Sequence, residues 1–142
     1  MSHRDLVTDF LNGMVTRDRQ LLTRALAEDV VWHVPPASFP QFSKQHDGRE
    51  ACLTLIADAG PTMFIEGTQR IAIMNLLVDG DQAAVQFRMT GRMPGDIDYD
   101  NQYAFFFRCA GDRIVEVWEN IDTAYVYRRL GIEATWIPSG KK

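Results

Sequence analysis

The sequence predicts an α+β fold in which a strongly curved, antiparallel or mixed sheet wraps around three N-terminal helices. Apolar residues recur with helical spacing through most of the first 60 positions, and they alternate with the two-residue spacing of strands in later stretches. The chain has 142 residues, of which 46% are hydrophobic and 24% charged, which suits one core. We therefore expect a single domain over residues 1–142, with its core at about 6–131 and a C-terminal tail at 132–142. A curved sheet with helices on its concave side forms a cone with one open end.

Two amphipathic stretches at the N-terminus predict the first helices. Ser2–Val15 places its apolar residues on one face, and Ser2 and Asp5 have the spacing of a capping box. A second, shorter helix follows at once. Thr16 is its predicted cap, and Asp18 lies in its first turn, where a negative charge is favourable.

The next stretch predicts a strand followed by a long loop. Asp29–Val34 is rich in β-branched and aromatic residues, and the prolines after it end the strand. No periodicity is visible from Pro35 to Gly48, and an irregular loop of that length is typical of a lid or a binding loop. Phe39 and His46 lie in this loop and are candidate substrate contacts. For His46 the alternative is a solvent-exposed loop histidine without such a contact. The third helix begins at Gly48.

The second half of the chain predicts two antiparallel hairpins. Thr68–Val78 and Gln82–Thr90 flank an Asp-Gly pair at 79–80, which is a strong turn signal. The second hairpin is Tyr99–Asp122, with its turn at Gly111. A last short helix follows it, capped at its start and closed by a glycine.

The second hairpin predicts a pocket. If its turn centres on Gly111, antiparallel partners have numbers that sum to about 222. The predicted pairs are Tyr103 with Glu119, Phe105 with Val117, and Phe107 with Val115. Because side chains alternate between faces, these residues and Asn101 project from the same face. That face has an apolar floor with a carboxylate, a phenol and an amide at its edge.

Glu119 is the leading candidate for catalysis. A carboxylate beside apolar side chains is partly desolvated, which raises its pKa towards the range of a general base. Tyr103 would orient that carboxylate or donate to a developing oxyanion, and Asn101 would bind a substrate oxygen. A structural alternative stays open for each residue. Glu119 would then pair with Tyr103 or with an arginine, and Asn101 would satisfy the backbone at the strand entrance.

His33 is the other candidate for catalysis, since a neutral histidine shuttles protons near pH 7. Alternation places His33 with Val31 on one face, and Trp32 with its neighbours on the other, more apolar face. A bulge before the prolines would change this assignment, so both orientations stay open. The remaining predicted substrate contacts form the pocket wall: Tyr99, Phe105, Val117 and Trp32.

Composition argues against several classes of function. A net charge of −4 and a pI near 5.3 argue against nucleic acid as a partner. No apolar run approaches the roughly 20 residues of a membrane span, and the first ten residues lack the apolar region of a secretory signal, so we expect a cytoplasmic protein. Cys52 and Cys109 lack metal-ligand spacing, and we expect free thiols. No phosphate loop or nucleophile elbow appears, so we expect neither a metal nor a cofactor.

The order of these elements and five short motifs resemble the SnoaL-like and ketosteroid-isomerase-like branch of the nuclear-transport-factor-2-like superfamily. The motifs are Val31-Trp32-His33-Val34-Pro35, Gly48-Arg49, Tyr99-Asp100-Asn101-Gln102-Tyr103, Arg113-Ile114-Val115 and Glu119-Asn120-Ile121-Asp122-Thr123. The resemblance runs from about Leu6 to Gly131. It implies a cone-shaped, cystatin-like fold, commonly a homodimer, with a deep apolar pocket and chemistry without a cofactor.

The chain departs from this branch at several positions. The branch often has tyrosine where this chain has Asn120, and glutamate where it has Gln102. The two carboxylates of ketosteroid isomerases fall at or next to Ala104 and at Val34, beside His33. The resemblance therefore does not imply steroid isomerisation itself.

Together these observations predict a cofactor-independent acid–base enzyme, which would be an isomerase, dehydratase, cyclase or carbon–carbon lyase. Its substrate would be a hydrophobic, oxygenated small molecule, such as an aromatic or polycyclic one. We expect a homodimer that associates through the convex face of the sheet. The alternative is a non-catalytic small-molecule-binding protein or dimeric adaptor of the same fold.

Overall fold

The structure is a computed structural model that describes residues 1–35, 45–59 and 63–131. The helices of this part are α1 (His3–Thr16), α2 (Arg19–Ala25), α3 (Arg49–Leu53), which continues as a π-helix over Thr54–Ala59, and α4 (Thr123–Leu130). The strands are β1 (Leu26–His33), β2 (Gln45–Asp47), β3 (Arg70–Asp79), β4 (Gln82–Met93), β5 (Ile97–Ala110) and β6 (Arg113–Ile121).

The strands form one six-stranded sheet in the order β2-β1-β6-β5-β4-β3. β1 and β6 run parallel, and the other neighbours run antiparallel, so the sheet is mixed. It is curved without closing into a barrel, and the N-terminal helices pack on its concave face. The predicted α+β fold is confirmed.

The two N-terminal helices begin where side chains cap them. Ser2 Oγ accepts a hydrogen bond from the Asp5 backbone N–H at 3.1 Å, as the capping box predicts. The same hydroxyl also donates to the Asp5 carboxylate at 2.8 Å. The prediction for α2 was wrong, because its cap is Asp18, whose carboxylate accepts a backbone N–H of the first turn, and Thr16 ends α1. The left-handed backbone of Arg17 (φ 57°) separates the helices and shifts the start of α2 along the chain.

Part of the predicted binding loop is a strand. β2 pairs antiparallel with the end of β1, where His46 lies opposite Trp32. β1 itself begins at Leu26, earlier than the sequence pattern predicts, because Leu26 pairs with Ile114 of the parallel strand β6. Phe39, the other predicted contact from this loop, lies outside the described residues.

Both predicted hairpins form, but the second one has a different register. Phe105 pairs with Glu119 and Tyr103 with Ile121, whereas the prediction paired Tyr103 with Glu119. One residue of the shift comes from the turn, which has two residues instead of a single central one, and the other comes from a bulge that leaves Val115 as an extra residue in β6. Because side chains alternate with a period of two, this two-residue shift keeps Glu119 on the face of Phe105 and Tyr103.

The concave face of the sheet carries the core. β5 alternates strictly, with every second side chain buried: Tyr99, Asn101, Tyr103, Phe105, Phe107 and Cys109. Phe10 of α1 packs on this face, with its ring centroid 5.4 Å from that of Phe107 and 5.5 Å from that of Trp32. The helix thus covers the Phe107 end of β5, while Phe105 and the tyrosines also face a cavity.

The last helix follows β6 directly. Asp122 caps α4 by accepting the Tyr125 backbone N–H at 3.1 Å, and Gly131 in the left-handed region (φ 68°) ends it, as predicted. No helix in the described ranges is long and apolar enough to cross a membrane.

Candidate active site

A cavity opens on the concave face, between the sheet and the N-terminal helices. Its volume is about 130 Å³. Its apolar lining among the described residues is Met14, Val34, Leu55, Ile56, Met63, Phe64, Met89, Phe105 and Ile121. The lining side chains that carry nitrogen or oxygen are Trp32, Gln69, Tyr99, Tyr103 and Glu119. A cavity of this composition suits an apolar ligand that is oriented by a few polar groups.

Glu119 is the acid of this cavity. It projects from β6 opposite Phe105, and its Oε2 accepts a hydrogen bond from Trp32 Nε1 at 3.0 Å. Burial raises the pKa of Glu119 from 4.5 to about 7, and the Trp32 hydrogen bond, which favours the ionised form, opposes that rise. Near neutral pH, Glu119 is therefore able to take up or release a proton.

Two tyrosines and an asparagine form a hydrogen-bonded chain beside Glu119. The hydroxyl oxygens of Tyr99 and Tyr103 are 2.5 Å apart, and Asn101 Nδ2 donates to Tyr99 Oη at 2.9 Å. Burial raises the pKa of Tyr99 to about 12 and the pKa of Tyr103 well above its usual value, and the charge of Glu119 contributes to both rises. Both phenols are therefore neutral donors at physiological pH.

Asn101 belongs to this chain of hydrogen bonds and does not line the cavity. Its Nδ2 also donates to the Asp122 carbonyl oxygen at 3.1 Å, and its Oδ1 accepts the Gln102 backbone N–H at 2.8 Å. The side chain is 2% exposed and does not line the cavity. The predicted contact with substrate is therefore corrected, because the amide is occupied by Tyr99 and the backbone. Asn101 positions Tyr99.

The predicted wall residues divide between the cavity and the core. Tyr99, Trp32 and Phe105 line the cavity, and their contact with a substrate stays a prediction. Val117 is completely buried and does not line it, because the two-residue shift of register places Glu119 opposite Phe105 instead. His46 does not line it either, since it is fixed in β2 and buried beside β1.

His33 lies on the opposite face of the sheet. Its Nε2 is 2.7 Å from Glu116 Oε2, and its ring stacks on Trp118 with the centroids 5.3 Å apart. The buried residues of β1 alternate with it, so no bulge redirects it towards the cavity. The prediction that His33 acts as a base in the pocket is therefore corrected.

Sequence reasoning did not identify the far end of the cavity. Phe64 and Gln69 line it just before β3, and Met89 lines it from β4. Gln69 lies at the edge of a predicted strand with no local motif, and its contact with Arg17, 52 positions away, orients its amide. A single sequence contains no signal for a contact of that kind.

The described residues offer no set of metal ligands. In the ranges 1–35, 45–59 and 63–131, no three histidine, cysteine, aspartate or glutamate side chains converge as a metal site. Cys52 and Cys109 are buried free thiols, and burial raises the pKa of Cys52 to about 12. A thiol with so high a pKa is not a ready nucleophile at neutral pH.

Comparison with known protein families shows which family the chain belongs to. The model of the SnoaL-like domain matches residues 7–117, which include β1, β5 and most of β6. This chain belongs to the SnoaL-like domain family. A search of curated proteins finds no match to its sequence.

Solved structures share the fold of this SnoaL-like domain at low sequence identity. A nuclear-transport-factor-2-like protein of unknown function from Burkholderia pseudomallei is 22% identical, with a TM-score of 0.78 over 90% of this chain and 97% of that one. A candidate SnoaL-like polyketide cyclase from a Jannaschia species is 17% identical, with a TM-score of 0.73 over 92% of each chain.

A third solved structure carries the ketosteroid-isomerase-like fold. This hypothetical protein from Catenulispora acidiphila, in complex with trimethylamine, is 18% identical, with a TM-score of 0.74 over 94% of this chain and 97% of that one. At these identities the likeness establishes the fold, and the SnoaL-like domain must be assigned an activity from its own residues.

Proposed function

We propose that this SnoaL-like domain is a cofactor-independent acid–base enzyme that acts on a hydrophobic, oxygenated small molecule. The observation that carries the proposal is Glu119, a carboxylate with a pKa of about 7 in an apolar cavity, beside two neutral phenols. A base with a pKa near the working pH is the most effective one at that pH. Isomerisation, dehydration and cyclisation of a carbonyl compound can each begin with removal of a proton from the carbon next to the carbonyl group, and carbon–carbon cleavage can begin with removal of a hydroxyl proton by the same base.

In the proposed first step, ionised Glu119 removes a proton from the carbon next to a carbonyl group. The proton moves to the carboxylate, and the electron pair of the C–H bond becomes the C=C bond of an enolate, whose negative charge lies on the former carbonyl oxygen. Trp32 holds the carboxylate in place, because its Nε1–H donates a hydrogen bond to Glu119 Oε2 at 3.0 Å. Return of the proton to a different atom completes an isomerisation and regenerates the base.

Tyr99 is the proposed donor to the enolate oxygen. Its hydroxyl oxygen accepts a hydrogen bond from Asn101, and the bond with Tyr103 lowers the pKa of Tyr99 while it raises that of Tyr103. Either hydroxyl can donate in this pair, and we propose that Tyr103 donates and Tyr99 accepts. Tyr99 then accepts two hydrogen bonds, which leaves its own proton for the substrate and polarises the O–H bond.

Exchange of carbon-bound protons tests this proposal without knowledge of the natural substrate. We expect the protein to accelerate deuterium incorporation next to the carbonyl of bicyclic ketones such as 1-tetralone in D₂O, followed by NMR. The rate should rise with pH and be half-maximal at about pH 7, the pKa of Glu119. Glu119→Gln should abolish the acceleration, and Glu116→Gln, a matched change on the opposite face, should retain it. Exchange that survives in Glu119→Gln would exclude Glu119 as the base.

A non-catalytic binding protein is the second candidate. Val34 favours it, because this valine lines the cavity at the position where the resemblance to ketosteroid isomerases implies a base. A binding protein would bind 1-tetralone without accelerating exchange. Glu119→Gln would then change the affinity and its pH dependence, but no rate.

We further propose that a second copy of the chain covers the convex face of the sheet in the cytoplasm. Five cross-strand neighbours form a row on this face: Leu77, Ala84, Phe106, Trp118 and His33. Leu77 is 69% exposed and Phe106 is 51% exposed. Exposed apolar side chains that are contiguous across a sheet are typical of a contact surface.

A further inference from the structure

The cavity has a second polar group at the end remote from Glu119. Gln69 lies immediately before β3, and its side chain packs beside Gly91 of β4, whose partner in β5 is Tyr99. Glu119 lies on β6, opposite Phe105. β3 and β6 are three strand spacings apart, so the two backbones are separated by about 14 Å along the sheet. Gln69 and Glu119 therefore face different ends of a bound molecule.

The orientation of the Gln69 amide is fixed by Arg17. Arg17 Nη2 donates to Gln69 Oε1 at 3.3 Å and to the Phe64 carbonyl oxygen at 3.2 Å. Because a guanidinium group has no acceptor, the oxygen of the amide must face Arg17 and the NH₂ group must face away from it. That NH₂ group is 3.5 Å from Met89 Sδ, another residue of the lining.

The Gln69 NH₂ group has hydrogen-bonding capacity to spare. It carries two N–H donors, and its partner among the described residues is a thioether, which is a weak acceptor. A ligand oxygen at this point would replace a weak interaction by an ordinary hydrogen bond.

The backbone of Arg17 supports a role for this contact. Arg17 occupies the position after α1 with φ 57°, a left-handed conformation that favours glycine at the end of a helix. A glycine would end α1 equally well but would leave Gln69 without its guanidinium partner. Arginine at this strained position keeps the amide turned towards the cavity.

Building on the proposed function of the cavity, we propose that Gln69 is a specificity-determining residue that donates a hydrogen bond to an acceptor oxygen at the far end of the substrate. The substrate class is thereby narrowed to elongated apolar molecules with oxygen at both ends. One oxygen belongs to the group that reacts near Glu119, and the other is a carbonyl or ether oxygen that Gln69 recognises. Arg17 acts as a positioning residue through Gln69.

Two matched fluorescent probes test this inference. 6-Acetyl-2-naphthol carries a hydroxyl group at one end and a carbonyl acceptor at the other, and 6-isopropyl-2-naphthol replaces the acetyl group by an apolar group of similar size. In titrations at pH 7 we expect the wild-type protein to bind the acetyl probe about fivefold more tightly, the effect of one net hydrogen bond. Gln69→Leu should abolish this preference, and the matched control Gln102→Leu, on the convex face, should retain it.

A second variant separates recognition from folding. Gln69→Glu keeps an acceptor for Arg17 but replaces the NH₂ donor by an acceptor oxygen. It should therefore reverse the preference, so that the isopropyl probe binds more tightly. Arg17→Met should reduce the preference for the acetyl probe without removing Gln69.

The outcomes distinguish this inference from the proposed function. Glu119→Gln should weaken both probes by the same factor, because both carry the hydroxyl group. If it does so while Gln69→Leu keeps the acetyl preference, Gln69 recognises nothing and the site near Glu119 stands. If Gln69→Leu weakens both probes equally, its role is structural and the inference is overturned. If neither probe binds the wild-type protein, the inference and the proposed site both fail.

Discussion

Replacing Glu119 by glutamine should change how the stability of the protein depends on pH. Burial raises the pKa of Glu119 from 4.5 to about 7, so the folded protein holds a proton that the unfolded chain releases. The direction of the pH dependence follows from this difference in bound protons. The favourable contribution of protonated Glu119 is complete below pH 4.5 and is lost as the pH rises to about 7. Glutamine does not titrate, and it retains an oxygen that accepts the Trp32 N–H.

The magnitude follows from the two pKa values. A difference between 4.5 and about 7, at about 1.4 kcal/mol for each pH unit, gives about 3 kcal/mol. This value is an upper limit, because Glu119 is partly exposed in the cavity and water there screens its charge. The free energy of unfolding of Glu119→Gln, relative to wild type, should therefore increase by up to about 3 kcal/mol between pH 4 and pH 8.

Urea unfolding at several pH values, followed by tryptophan fluorescence, measures this difference. Glu116→Gln is the control with the opposite sign, because hydrogen bonds from His33 and Arg108 lower the pKa of Glu116. That carboxylate stabilises the folded protein above its unfolded pKa, and the contribution is lost as the pH falls. A difference between Glu119→Gln and wild type that stays constant from pH 4 to pH 8 would refute the raised pKa, and with it the argument for a base at neutral pH.

Three further predictions concern other parts of the molecule. Trp32→Phe removes the donor that lowers the carboxylate pKa, so the midpoint of the pH–rate profile for exchange should move above about 7. Tyr99→Phe should reduce the exchange rate by about 100-fold or more, the usual effect of losing an oxyanion donor, whereas Tyr103→Phe should have a smaller effect; equal losses would contradict the assigned direction of their hydrogen bond. Phe106→Glu, which puts a charge on the convex row, should give a monomer in light scattering, while Gln102→Glu outside that row should not.

Alternation predicted the faces of the sheet because it depends only on local backbone geometry. Tyr99, Tyr103 and Phe105 alternate with exposed neighbours throughout β5, and this pattern was visible in the sequence. It located Glu119 on the correct face even though the predicted register was wrong by two residues. One residue of this error comes from the two-residue turn, and the other comes from the bulge at Val115, which has no local signature in the sequence.

The roles of individual polar side chains depended on contacts that are distant in the sequence. Asn101 shares the face of Tyr103, but whether its amide meets a ligand or Tyr99 is decided by the packing of neighbouring side chains. His33 was ambiguous until its contact with Glu116, 83 residues away, fixed its face. Gln69 was missed because the orientation of its amide depends on Arg17, which is distant in the sequence.

The hydrogen bond from Trp32 to Glu119 joins residues that are 87 positions apart, across the parallel pair of β1 and β6. Contacts of such long range form late, because the chain must first close a large loop. During synthesis Trp32 therefore has no carboxylate partner until β6 has left the ribosome. A ligand that requires this pair cannot bind a shorter nascent chain, so it would stabilise only the completed domain, by an amount that grows with its concentration.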